Sequence, residues 1–463
     1  MTRSAVPPVA MQARDGCSVL GERVAGLCFG DLGTDVRVCA AQCVLDGLGV
    51  GIAAAGEPAV GAVRSVVLAD GGRGTARLWG TSELAPARDA ALVNGTAAHA
   101  LDFDDVSPAM GGHPTVPVLP AALALAEELG TGGPELVTAL VAGMETEIRV
   151  GAALGTAHYR RGFHTTATAG TLGAAAAAAR LLRLSADRTA TALGIAATHA
   201  AGLKSMFGTM CKPLHAGKAA AAGILSARLA AAGFDSARGA LEGEQGLLRT
   251  LSDAPEPAAL HTPFGDPWHV TGVLFKYHAS CYLTHASIEA ALAVREQGLD
   301  PSAVDTAEIL ISPDHIGVCD IPEPRTGLEG KFSVRFATAL ALATGRTDES
   351  AFTDAGVSDP GLSGLRERVV TVSSDRLDRY QARVTVRDRA GRTWRAEADA
   401  GTPSWTRSPV EQSARLAAKF DALVAPVLGP HRASALRERL LADPGDPPSA
   451  AELAALTGPG AAR

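Results

Sequence analysis

The stretch Asn94-Gly95-Thr96-Ala97-Ala98-His99-Ala100-Leu101-Asp102-Phe103-Asp104-Asp105 closes an apolar helical run with three carboxylates in four residues. Crowded acids repel one another unless they cap a helix, meet cations, bind a metal or take part in proton chemistry. For an isolated DxDD a solvated capping turn is the simpler reading. Here three more interruptions of apolar sequence follow, Gly162-Phe163-His164-Thr165-Thr166, MFGTMCKPLHAGK at 206–218 and LFKYHASCY at 274–282, each carrying a cation or a histidine. His164 precedes a helix expected from about Thr166, where the dipole disfavours protonation and leaves a neutral imidazole able to accept or donate a proton. Capping of that helix is the bland alternative. His113, between Gly111-Gly112 and Pro114, is expected in an extended loop beside the acids, where it can titrate near neutrality or simply be solvated. Lys212 precedes Pro213, which is expected to hold it extended, and with His215 and Lys218 it makes a basic patch suited to carboxylates. A plain helix start at Pro213 is the alternative.

These groups must be positioned by elements that composition outlines. The chain has 463 residues, 47% of them hydrophobic, more than one hydrophobic core usually spans, so two domains are expected. From about 36 to 260 the sequence is Ala-, Leu- and Gly-rich, as in VLPAALALAEELG and TLGAAAAAARLLRL, with high helix propensity and small side chains that let axes approach. The exception, 64–79, is read as a short exposed hairpin. After about Trp268 β-type segments alternate with helical ones: TAEILIS at 306–312, VVTVSS at 369–374 and 382–399, the last a hairpin around Asp388-Arg389-Ala390-Gly391. Helices resume after Pro403. The fold class is therefore mainly α: an all-α helical domain from 15–267 and 405–445 and a smaller α+β lid domain from 268–404, with 1–14 and 446–463 flexible. Lys276 and Tyr277 fall at the domain boundary, where Lys276 can reach a cleft between the two.

A net charge of -7 gives no general attraction to nucleic acid or an anionic membrane, so cations must act locally. Seven scattered cysteines without a CxxC pair argue against a disulfide framework and a zinc site, and no apolar signal segment opens the chain. A cytoplasmic protein is expected. His99, Asp102, Asp104 and His113 have metal-ligating chemistry, yet no HxxxH or CxxC spacing supports a metal, and none is assigned.

In order and spacing, NGxxxHxLDFDD, the Gly-Phe-His block, the Lys-Pro-Leu-His block and the Phe-Lys-Tyr-His block resemble the MmgE/PrpD family, which includes 2-methylcitrate dehydratase and cis-aconitate decarboxylase. The resemblance runs from about Ser18 into the C-terminal region. It implies a cofactor-independent lyase acting on a small di- or tricarboxylate, a homodimer, and a site in the cleft between helical domain and lid, with Asp102, His113, His164, Lys212 and Lys276 catalytic. Asp104 and Asp105 are expected as caps or lysine partners. In the decarboxylase branch an Asn-Arg-Pro segment with a nearby Tyr contributes from the lid. Here Ile316–Gly327 has neither, which puts forward Arg325 or Arg335, with Arg160 and Arg161, as anion contacts beside His215 and Tyr277. The Ala/Gly faces at 171–180 and 218–233 are read as surplus to one domain's core and available for a partner copy. An epimerase or isomerase using the same α-proton abstraction is the rival enzyme, and a non-catalytic helical scaffold the rival of a different class.

Overall fold

Helices form along the Ala, Leu and Gly runs, and the computed structural model describes residues 15–403, 406 and 408–459. The expected flexible lead, 1–14, lies outside the described residues, as do 460–463. The N-terminal part runs through α1 (Gly16–Gly26), α2 (Thr34–Ala53), α3 (Pro58–Ala69), α4 (Ala87–Ala100), α5 (Thr115–Leu129), α6 (Gly133–Arg160), α7 (Thr165–Leu181), α8 (Ala186–His199) and α9 (Cys211–Ala231). α7 is enclosed by α5, α6, α8 and α9. Small residues make this possible. A Cβ added at Gly223 of α9 would meet the Ala174 Cβ at 2.4 Å, and one added at Gly217 would meet the Leu92 carbonyl oxygen of α4 at 2.1 Å. Close contact of α4 and α9 brings the acidic end of the first to the Lys212 end of the second.

The face at 171–180 is correspondingly used inside the chain, since Ala174 to Ala179 are fully buried. It offers nothing to a second copy. The segment 64–79 also departs from expectation. Its first half belongs to α3, opened by Pro58 in the first turn, and only two-residue strands β1 (Ala76–Arg77) and β2 (Leu84–Ala85) pair antiparallel beyond it. The valines there follow a helical period, with Val60 and Val67 buried and Val66 exposed. By length and composition Thr34–Gly56 could cross a membrane, the one such helix among the described residues, but its apolar window is 83% buried within the fold.

Past residue 300 a four-stranded sheet forms from β3 (Val304–Ile311), β4 (Val369–Ser373), β5 (Gln381–Asp388) and β6 (Thr393–Asp399), in the order β4-β3-β5-β6. β3 and β4 are parallel, and the other pairs antiparallel. The β5–β6 turn falls where the sequence placed it. The Asp388 carboxylate accepts the backbone N–H of Ala390 and Arg392, and Gly391 supplies a φ of +81°. Helices His285–Glu296 and Val334–Thr344 cover the sheet. Helix Pro409–Leu428 returns to α2, with Gln412 donating to Gln42 at 2.8 Å and Phe420 packed on Gly49.

The tail is ordered through residue 459, against the expectation that 446–463 is flexible. Ser449 and Glu452 form a capping box that starts helix Ala450–Leu456, and Leu453 is buried.

Gly217→Ala tests the α4–α9 contact with an unusual sign. Helix propensity alone favours alanine by about 1 kcal/mol, whereas the clash with the Leu92 carbonyl costs about 1–3 kcal/mol. Urea unfolding is expected to show net destabilisation.

Candidate active site

α4 ends at Ala100, and the three residues that follow it turn their carbonyls to lysines. Leu101 O accepts from Lys331 Nζ at 2.5 Å, Asp102 O from Lys276 Nζ at 2.7 Å and Phe103 O from Lys419 Nζ at 2.7 Å. The three donors come from the segment after Gly330, the loop before His285–Glu296, and helix Pro409–Leu428. Between them Asp102 adopts φ +52°, a left-handed conformation that Asp tolerates better than most residues and that surrounding contacts must hold.

The Asp102 side chain points into a cluster of cations and imidazoles. Its Oδ1 accepts from Lys212 Nζ at 2.7 Å and Lys276 Nζ at 2.9 Å, while the buried Oδ2 has no partner among the described residues. Burial alone would raise this carboxyl, but the two ammonium groups outweigh it and hold it below its usual range. Burial likewise pulls Lys276 down, and the Asp102 and Asp104 carboxylates more than restore it. Lys212 also donates to His99 Nε2 at 3.2 Å. That contact fixes the His99 tautomer, with Nδ1–H directed at Asp104 Oδ2, 2.9 Å away. Burial drives His99 down to about 3, so the ring is neutral at pH 7.

Asp104 Oδ2 lies 2.9 Å from His113 Nδ1 as well, and the same nitrogen is 2.8 Å from Asp105 O. Asp104 is thus a histidine partner, not the cap or lysine partner expected, because Lys212 and Lys276 both turn to Asp102. His164 stands at the N-cap position of α7, but its side chain makes no capping hydrogen bond there, so the structural-cap alternative does not hold. Its Nδ1 is 3.0 Å from His215 Nδ1, so one donates and the other accepts. Burial, then the neighbouring His99 and Lys212, hold His164 well below the usual imidazole range, and burial holds His215 at about 4. Both are neutral at pH 7.

Asp102, His113, His164, Lys212 and Lys276 line one cavity, walled also by Ser107 and by the aromatic rings of Tyr159, Phe207, Tyr282, Phe332 and Tyr380. Lys212 reaches it from the first turn of α9, where Pro213 is tolerated, so it is helical and not extended. His215 sits behind His164. Three expected contacts lie elsewhere. Arg161 pairs with exposed Asp253 at 2.7 Å. Tyr277 turns away from Lys276 and stacks under the Arg415 guanidinium, 3.6 Å from the ring centre, because neighbouring residues in extended chain face opposite sides. Arg325 is exposed. Of the other candidates, Arg335 meets Thr371, Arg160 approaches Asp314 at 3.9 Å, and Lys218 donates to Ala201 O at 3.4 Å.

Sequence reasoning weighed His99 only as a metal ligand and passed over Lys331, Lys419 and Arg379. A signal existed for Lys419, which interrupts the buried stripe Leu416, Phe420, Val424. Ligating atoms of His99, Asp102, Asp104 and His113 lie within 4.8 Å of one another, as do those of His99, His113 and His164. In both groups His99 Nε2 is already engaged by the Lys212 ammonium, so a metal ion would compete with a cation the protein itself supplies.

These features agree with what comparison finds. The sequence model of the MmgE/PrpD N-terminal domain matches residues 18–260 and that of the C-terminal domain residues 278–442, so the chain belongs to the MmgE/PrpD family. It is 30% identical over 361 residues to the cis-aconitate decarboxylase of Homo sapiens, covering 72% of each chain. The Mus musculus cis-aconitate decarboxylase is 29% identical over 394 residues, 80% of this chain and 78% of that one. A cis-aconitate decarboxylase of Aspergillus terreus is 28% identical over 375 residues, 75% and 76% of the two chains. Family and relatives together support an enzyme of the lyase class, of decarboxylase or dehydratase type.

Behind the cavity Asp105 accepts from the Thr115 N–H and hydroxyl at the start of α5, and burial followed by the Asp46 charge pushes its carboxyl up to about 8. A raised acid is protonated in the folded state and ionised in the unfolded chain across the window from about 4 to 8, so its stabilisation falls as pH rises through that window. Asp105→Asn, neutral throughout, is expected to gain on the wild type between pH 5 and 8 and to hold a constant difference above it. Melting temperatures of both proteins at pH 5, 6.5, 8 and 9 check this.

Proposed function

We propose that the chain is a cofactor-independent lyase acting on a small di- or tricarboxylate in this cavity, removing water or carbon dioxide through a carbanion-like state next to a carboxylate. The observation that carries this reading is that two imidazoles, His113 and His164, and two lysines sharing one aspartate line the same cavity. Independent caps and surface lysines have no reason to meet. Lys212 and Lys276 share the single oxygen Oδ1 of Asp102, and their ammonium groups are the charge-assisted donors available to a substrate carboxylate.

For dehydration, His164 or His113 takes the proton α to the bound carboxylate. The electron pair passes into the aci-carboxylate facing Lys212 and Lys276, then returns to form the double bond as the β-hydroxyl leaves as water, taking the proton that the imidazolium formed in the first step now carries. For decarboxylation of an unsaturated acid such as cis-aconitate, the pair released with carbon dioxide shifts the double bond, and a proton drawn from solvent is delivered through an imidazole to the former alkene carbon. The relatives' names make cis-aconitate the first substrate to try, followed by 2-methylcitrate and citrate. Assembly as a homodimer in the cytoplasm belongs to the same proposal, and all seven cysteines are unbridged in keeping with a reducing compartment.

His164→Asn is expected to lower kcat by roughly 10²–10⁴-fold with little change in KM, as befits proton transfer. Lys212→Met is expected to raise KM and lower kcat together. Retained activity in a folded double variant refutes the assignment, and deuterium uptake from heavy water into recovered substrate without product identifies an epimerase instead. Light scattering at micromolar concentration is expected to give twice the 47.1 kDa chain mass; a 47.1 kDa species alone refutes the dimer.

A further inference from the structure

The cavity has a second positive end. The loop between β4 and β5 brings Arg379 and Tyr380 to its wall, and Arg379 also lines the adjoining outer cavity that opens past Tyr159. Arg379 is in no ion pair with a carboxylate among the described residues, and its buried Nε has no hydrogen-bond partner there. Its nearest aromatic contact is the Tyr380 ring, 5.8 Å from the guanidinium carbon. A buried guanidinium N–H without a partner costs stability unless a ligand supplies the acceptor. Nearby charge does not compensate it. Lys204, whose ammonium lies 3.8 Å from the Tyr159 ring centre, is a like charge, and burial and the field of Arg379 both depress its protonation. Asp314, on the same outer cavity, is the partner of Arg160. In a chain of net charge -7, an unpaired cation on the wall of a cavity that Lys212 and Lys276 also line is a placement that asks for an anion. The rest of the lining is rich in aromatic rings, Phe207 and Phe332 beside Lys212 and Tyr282 beside Tyr380. Separate cations among apolar rings match a short carbon chain carrying more than one acid, and the planar fork of arginine suits a carboxylate better than a lysine does.

We propose that Arg379 binds the substrate carboxylate remote from Lys212 and Lys276, and so restricts the enzyme to acids carrying at least two carboxylates. The proposal rests on reading the cavity as a polycarboxylate site, and it replaces the contact sought at Arg325, which is exposed.

The test is calorimetric binding of glutarate, a symmetric five-carbon diacid, and of its monomethyl ester to full-length wild type, Arg379→Gln and Arg379→Lys, each checked for an unchanged melting transition. Wild type is expected to bind glutarate roughly 10- to 100-fold tighter than the ester, the span of one charge-assisted contact. Arg379→Gln is expected to lose that advantage while binding the ester as wild type does, with Arg379→Lys between. Equal losses for diacid and ester reduce Arg379 to a residue that shapes the cavity, and unchanged glutarate binding in Arg379→Gln, or none in wild type, overturns the assignment. Arg379-dependent glutarate binding in a protein that turns over no polycarboxylate sinks the lyase reading and leaves this one standing.

Discussion

The Asp102 carboxylate is the interaction around which the site is built, and its position depends on carbonyls more than on its own charge. Buried ion pairs contribute little net stability, because two desolvated charges cost about what their attraction returns. What Lys212, Lys276 and Asp102 gain is geometry. Lys331, Lys276 and Lys419 secure three consecutive carbonyls at the end of α4, and these donors arrive from sequence positions 276, 331 and 419. Lys419 ties the arrangement further by donating to Asp46 at 2.6 Å and to Lys276 O at 2.9 Å. The turn is thereby held by both the helical part and the C-terminal part of the chain, and the left-handed Asp102 can persist only while all of them are assembled.

Dense packing supplies the second condition. Helices brought together through alanine and glycine leave little room for water, and burial is the leading cause of the depressed protonation of His99, His164 and His215 and of the raised Asp105. Lys276 escapes the same effect because Asp102 and Asp104 face it and Asp102 accepts from it directly, whereas for Lys331 burial outweighs Asp102 and Glu349 and pulls it down to about 8. One matrix thus keeps imidazoles neutral, an acid protonated and an ammonium charged, according only to what each group faces. Neutral imidazoles beside fixed cations are the combination that α-proton chemistry on an anionic substrate requires.

The primary sequence determined the elements and most of the cavity floor. Ala and Leu runs specified the helices, β-branched residues specified β3 to β5, and Asp388 with Gly391 specified the hairpin that adds β6, because each depends on neighbours within a few residues. The likeness of the four polar blocks to the MmgE/PrpD family singled out Asp102, His164, Lys212 and Lys276, and the glycine-flanked loop beside the acids added His113; residue types alone left a structural reading open for each. Tertiary structure alone decided which of their neighbours join them. Lys331 and Lys419 look like ordinary helix-associated lysines until their carbonyl partners are brought from 230 and 316 residues away. Arg379 looks like a loop arginine until the fold brings the β4–β5 loop to the cavity wall. Tyr277 and Arg161 have the right chemistry but face other partners, Arg415 and Asp253. Local periodicity is written in sequence, but the direction a loop side chain faces and the partner that neutralises a charge are set by contacts between distant segments, and those exist only in the folded chain.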